Sequence, residues 1–272
     1  MEYLLSMMLV IIIVACILIY HMFQEAHADR TLTHHLDFQE LPFDFEKLTI
    51  FFISDIHRRK VADTIVENAK GKAELVIIGG DLAEKGVRLN RVKENLERLK
   101  QIGPVYFVWG NNDYEINTNK LRELMGKMEV TILENTAFYI KSRKQAMVAL
   151  LGVDDTTVGQ SDLEGAIKGS NESSFRILVS HNPDIIHSIT PEHQIQLVLS
   201  GHTHGGQIRI FGFGPYEKGG IKRVGNTLLF VSNGYGTTTL PLRLGAKAET
   251  HLITITNSRS QVDDEIVRWQ DS

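Results

Sequence analysis

Five short apolar runs, each stopping at residues able to hold a metal ion, constrain this 272-residue chain more than any other feature. Residues 48–53 run into Ser54-Asp55-Ile56-His57, and residues 75–78 into Gly79-Gly80-Asp81. Residues 105–109 run into Gly110-Asn111-Asn112-Asp113, and residues 175–179 into Ser180-His181. Residues 197–199 run into Ser200-Gly201-His202-Thr203-His204. Unbroken aliphatic and β-branched runs of this length suit strands covered on both faces. Between the first three lie helical stretches at residues 61–70 and 87–102. The second has Val92, Leu96, Leu99 and Ile102 at helical spacing and is closed by Pro104. This β-α-β-α-β order favours a parallel core. Residues 146–153, 207–211, 227–231 and 251–256 read as further strands with little helix between, so the expected architecture is a mixed sheet or two packed sheets.

The N-terminus poses a separate question. Residues 4–20 carry no charged side chain, and extension to Tyr3 and Phe23 reaches the ~20 residues needed to cross a bilayer. Aromatic residues at its ends suit the water–lipid interface. The favoured reading is an uncleaved transmembrane anchor over residues 1–23 at the cell membrane, with its orientation left open by the lack of a Lys/Arg imbalance. A cleaved signal peptide ending near Ala26-His27-Ala28 lacks a basic leader, since Glu2 precedes the apolar run. A lipoprotein reading at Cys16 runs against the apolar residues that continue past it. Residues 24–47, including His34-His35, read as a polar tether. Residues 48–257 form the expected domain, and residues 258–272 an acidic tail.

Composition narrows the chemistry. The net charge of −4 argues against a protein that grips nucleic acid electrostatically, so no nucleic-acid partner is expected. The single cysteine excludes a disulfide framework and any multi-cysteine zinc site. A metal must therefore be held by His, Asp, Asn or Glu. In open α/β sheets functional groups gather at the carboxyl ends of strands. One Asp or His there is usually a cap or a satisfied core group, but five consecutive endings with oxygen or imidazole donors match hydrolytic Zn, Mn or Fe sites.

The ordered set Asp55-Ile56-His57, Gly80-Asp81, Gly110-Asn111-Asn112-Asp113, His181 and Gly201-His202-Thr203-His204 resembles the calcineurin-like metallophosphoesterases. Gly201 to Gln207, together with the apolar N-terminus, is most similar to the bacterial membrane-associated branch. The resemblance covers residues 48–256. It implies an α/β fold, a four-layer αββα sandwich, carrying two divalent metal ions and acting on a phosphate ester substrate through a bridging hydroxide. By carry-over, Asp55, His57 and His204 would hold one ion, and Asn111, His181 and His202 the other. Asp81 would bridge them. Two cations ~3.5–4 Å apart lower the pKa of a shared water and clamp phosphoryl oxygens.

The resemblance breaks at Asn112, where the family usually has a histidine that protonates the leaving oxygen. An amide hydrogen-bonds a phosphate oxygen but is no general acid. Asp113, Tyr114 and Glu115 lie nearby in sequence. Arg58 and Lys85 are candidate phosphate contacts, weighed against a reading as solvated turn residues. His187 and His193 match no motif, and Trp109 belongs to the core of its strand. The leading function is a membrane-anchored phosphoesterase, with phospholipid-linked or envelope phosphate compounds as candidate substrates. The alternative is a metal-stabilised binding module without turnover, and a nuclease is disfavoured by charge.

Overall fold

Every second residue of the central strands faces a different core, and that alternation builds the molecule. The computed structural model describes residues 1–142, 144–171 and 174–257. The first sheet contains β1 (Thr31–Asp37), β2 (Lys47–Ile53), β3 (Leu75–Ile78), β4 (Val105–Phe107), β5 (Thr131–Ile132) and β12 (Thr250–Thr256). Its order is β1-β12-β2-β3-β4-β5. The second contains β6 (Thr136–Lys141), β7 (Met147–Gly152), β8 (Phe175–Val179), β9 (Ile195–Ser200), β10 (Gly220–Val224) and β11 (Thr227–Val231), in the order β10-β11-β9-β8-β7-β6. Both sheets are mixed: β2, β3, β4 and β5 run parallel, as do β7, β8, β9 and β11, with antiparallel pairing of β12 to β2, β6 to β7 and β10 to β11.

Ile50, Phe52, Ile77 and Val108 point inward and meet Val148, Leu150, Ile177 and Leu199 of the opposite sheet. Phe51, Ile53, Val76 and Phe107 point outward, against α2 (Asp63–Ala69), α3 (Leu89–Leu99) and α4 (Thr118–Lys127). Ala149, Leu151, Leu178 and Val198 pack against α5 (Leu163–Lys168) and a short 3-10 turn at Pro183–Ser188. The result is the expected αββα sandwich, and the unbroken apolar runs follow from strands buried on both faces. At about 1.5–3 kcal/mol for each fully buried large apolar side chain, these layers hold the strand ends in fixed relation.

Two expectations need correction. The polar tether over residues 24–47 is largely structured: β1 pairs in parallel with β12, from Thr31 opposite Thr250 to Asp37 opposite Thr256. Leu36, Phe38, Leu41 and Phe45 are buried in the inter-sheet core, so four apolar side chains spaced through a polar stretch close the open end of the sandwich. His34 belongs to this packing, its Nε2 lying 3.2 Å from His251 Nδ1. Residues 207–211 are not a strand, because Gln207 and Phe211 both adopt φ near 51° and interrupt extended backbone. The proposed tail at 258–272 lies outside the described residues.

Among the described residues, α1 (Glu2–His27) is the helix long and apolar enough to cross a membrane. At 1.5 Å per residue it extends about 39 Å, beyond a ~30 Å hydrocarbon core. Its last turns dock on the sandwich, where Met22 and Ala26 are buried. The Met22 carbonyl accepts from Arg243 N at 3.0 Å. Arg59 donates to the Ala26 and His27 carbonyls at 3.2 and 2.6 Å and stacks 3.7 Å from the Tyr235 ring centre. A guanidinium thus satisfies carbonyls that a helix C-terminus leaves open.

Candidate metal centre

The five strand endings converge at one edge of the sandwich. Backbone bonds stitch them together: Asp55 N to Gly80 O at 3.0 Å, His57 N to Asp81 O at 3.1 Å, and Gly201 N to His181 O at 3.0 Å. Five donors, Asp55, His57, Asp81, His202 and His204, have φ between 50° and 71°. Left-handed backbone costs a non-glycine residue about 1–2 kcal/mol. Such strain concentrates where function requires a side chain to be aimed against backbone preference. The preceding glycines are needed for space. A Cβ on Gly110 would sit 2.3 Å from Asp81 Oδ1, and one on Gly80 would sit 2.5 Å from His181 Nδ1.

The donors form two groups that share a carboxylate. In the first, His57 Nε2 lies 3.1 Å from His204 Nε2, which lies 3.4 Å from Asp55 Oδ1. In the second, His202 Nδ1 lies 2.9 Å from Asn111 Oδ1 and 3.2 Å from His181 Nε2. Asp81 Oδ2 reaches both, 3.7 Å from His57 Nε2 and 3.3 Å from His181 Nε2. Asp55, His57 and His204 present ligand atoms within 4.8 Å of one another, and so do Asp55, Asp81 and His181. Two imidazole nitrogens on one tetrahedral zinc at about 2.05 Å stand about 3.3 Å apart. The observed spacings of ring nitrogens therefore fit shared cations, and the donor chemistry fits hard or borderline divalent metals.

Electrostatics support that fit. Burial alone would raise the Asp81 carboxyl, but the His181 and His57 imidazoles and the Asn112 amide pull it far below the usual carboxylate range. Burial opposes charge on His181, yet Asp81, and then Asp55, raise it to about 10. Burial pushes His204 down to about 3 against the pull of Asp55. These directions favour an anionic Asp81 and a neutral His204, the forms in which a carboxylate and an imidazole hold a cation.

Asn112 half-faces a cleft of about 370 Å³ that opens on Asp81, Asn111, His202 and His204. Its backbone and side-chain nitrogens donate to Asp81 at 2.8 and 2.6 Å. The neighbouring acids point elsewhere. Asp113 is fully buried and accepts from Gly110 N and Ala83 N. Tyr114 donates to Asp154 at 2.5 Å, and Glu115 accepts from Lys85 N at 3.0 Å. Arg58 is held by Glu84 and lines a separate cleft beside α1. Lys85 is exposed, and neither it nor Arg58 lines the cleft over the donors. His187 is exposed, while His193 pairs with Glu164 at 3.0 Å. Trp109 is in the core, as its strand position implies.

Sequence reasoning missed four contributors. Glu84 Oε2 lies 2.9 Å from His57 Nδ1, leaving Nε2 to face the donors; such carboxylate–histidine pairs orient metal ligands. Arg243 is fully buried and donates to the carbonyls of Asn233, Gly236 and His204. Tyr216 overhangs His202, with ring centres 6.3 Å apart. Tyr235 donates to Asp29 and receives Ala62 N. None of the four carries a local signal for these contacts.

Comparison with known proteins settles the family: residues 48–206 match the calcineurin-like phosphoesterase pattern. The chain is a calcineurin-like phosphoesterase. The match ends just past the last donor, so it encloses all seven. Over 210 residues this phosphoesterase is 50% identical to YpbG of Bacillus subtilis, covering 76% of the chain and 81% of that protein. It is 26% identical to the phosphodiesterase YaeI of Escherichia coli, covering 75% and 80%. Among solved structures, the sulfate thiohydrolase SoxB of Thermus thermophilus superposes with a TM-score of 0.51 at 16% identity. That alignment covers 77% of the phosphoesterase and 56% of SoxB, and it establishes likeness of fold.

Proposed function

We propose that the protein is a membrane-anchored, metal-dependent phosphoric ester hydrolase with a dinuclear centre. Asp55, His57 and His204 hold one divalent ion, Asn111, His181 and His202 the other, and Asp81 joins them. Mn, Zn or Fe suits these donors. The observation that carries this reading is the contact of one Asp81 carboxylate with both histidine groups. When bound, such a metal pair lowers the pKa of a shared water and neutralises charge on the phosphoryl oxygens. The chain's own part is to fix that geometry. Glu84 sets the face His57 presents, His181 Nδ1 is tied to the Gly79 carbonyl at 2.8 Å, and Asn112 orients Asp81. The packing of α1 against the sandwich supports retention of the apolar helix as an anchor, because Ala26 beside the candidate cleavage site is buried. Phospholipid-linked or envelope phosphate compounds are the substrate class this location favours.

A second reading, a metal-holding module without turnover, draws on Asn112. Its amide is engaged by Asp81, and the three adjacent side chains point away from the cleft. The substitution Asn112→His separates the two. The hydrolase reading expects measurable cleavage of an activated phosphodiester by the metal-loaded parent. It also expects a gain of about 10²–10⁴ in the variant on esters with poor leaving groups, the usual worth of general acid help. Inactivity of both metal-loaded forms favours the binding module.

A further inference from the structure

Residues 208–216 break two rules of surface design at once. Phe211 and Phe213 are 97% and 82% exposed, and Ile210 is 61% exposed. Ile210 and Phe213 exchange backbone hydrogen bonds at 2.9 and 3.0 Å, with Phe211 at φ 51° and Gly212 at φ 85° between them. Positive φ at both central residues is the pattern of a two-residue hairpin turn that favours Asn-Gly or Gly-Gly. A phenylalanine there accepts backbone strain and displays its whole ring. Local violations without a folding benefit mark functional positions.

The turn is rigidly joined to the metal centre. Arg209 donates to the carbonyls of Gly205 at 2.9 Å, Tyr216 at 2.5 Å and Gly212 at 2.6 Å. Gly205 directly follows His204, and Pro215 and Tyr216 line the cleft over the donors. The turn is also joined to the end of α1. Arg209 N donates to Leu244 O at 2.8 Å, and the adjoining Arg243 N donates to Met22 O at 3.0 Å. Exposed Leu240 lies on the rim of the same cleft. Flanking charge is basic: Arg209, Lys218, Lys222 and Arg223 against Glu217. An apolar aromatic tip with a cationic flank suits an interface of anionic lipid.

We propose that residues 210–213 form a wedge inserted into the bilayer surface from which α1 emerges, placing the mouth of the metal cleft against lipid. The occupant of this apolar surface is the membrane itself. Continuity with the docked end of α1 selects it, because an anchored helix fixes the bilayer within reach of the turn. The wedge deepens the proposed hydrolase function, since a phosphate ester with an acyl tail would enter the cleft past Tyr216 and Leu240 without leaving the lipid phase. Its geometry, however, is tested apart from catalysis.

The test uses the full chain carrying Phe211→Trp, reconstituted in phosphatidylcholine–phosphatidylglycerol vesicles containing lipids brominated at defined depths. The parent's fluorescence is subtracted. The proposal expects blue-shifted emission, quenched most strongly by bromines about 5–10 Å below the headgroup boundary. Replacement of phosphatidylglycerol by phosphatidylcholine should weaken quenching. Red-shifted emission quenched by aqueous iodide overturns the wedge. Blue-shifted emission untouched by brominated lipid overturns it as well, assigning the turn to a protein contact. Hydrolysis of a soluble phosphodiester is measured on the same sample. Quenching without hydrolysis retains the wedge and removes the hydrolase, whereas hydrolysis without quenching does the reverse.

Discussion

Asp113 is not among the candidate ligands, yet it ties together two loops that carry them. One oxygen accepts from Ala83 N beside Asp81, and the other from Gly110 N beside Asn111, each at 3.0 Å. Burial, and then the Asp81 charge, push its carboxyl up to about 7. Asp113→Ala leaves both donors orphaned, at about 1–3 kcal/mol for each. Urea unfolding of the metal-free protein should therefore shift to lower midpoint with an unchanged slope, whereas an unchanged midpoint would show that these bonds add nothing. At this scale the seven donors were legible because strand endings carry their chemistry in local sequence. Asp113 was visible as a motif residue, but its bond to Ala83 N was not, and the contacts of Arg243 with His204 and of Tyr216 with His202 carry no signal in the residues beside them. Asn112 was visible as a departure, but its grip on Asp81 emerged only from geometry.

Strand β1 shows where element-level reading stopped. Its polar residues match a solvated tether until β12 is placed beside it, and Leu36, Phe38, Leu41 and Phe45 are too sparse to mark a strand alone. Short α4 and α5 escaped for a similar reason, each burying one or two apolar residues. The long runs of β2, β3, β4, β8 and β9 were legible because double-sided burial demands unbroken hydrophobicity. The β1–β12 seam also yields a pH prediction. His251 is buried between His34 and Ser232, and burial, aided by His34, lowers its pKa from 6.5 to about 3. Below pH 6.5 the unfolded chain gains a proton there that the native state refuses. This contribution to stability is thus complete above 6.5 and lost toward 3, by about 1.4 kcal/mol per pH unit. His251→Gln should flatten the fall of stability with acid over that window in chemical denaturation, and an identical pH profile would contradict the assignment.

For the whole molecule, two sheets bring seven side chains from residues 55 to 204 to one edge, and the last turns of α1 dock on the same sandwich. The sandwich was legible in the order of apolar runs and in the resemblance they carry. The direct seating of α1 on the Arg59 side chain and the Arg243 backbone was not, because an arginine that satisfies helix carbonyls looks in sequence like any surface cation. The central claim is that Asp81 joins two cations in a working hydrolytic site. The most direct measurement is metal content, determined together with hydrolysis of an activated phosphodiester, for the parent and Asp81→Ala after loading with Mn²⁺ or Zn²⁺. The account predicts about two equivalents per folded parent chain, with loss of bound metal and of nearly all activity in the variant. Equal metal content and equal turnover in the two proteins would contradict it.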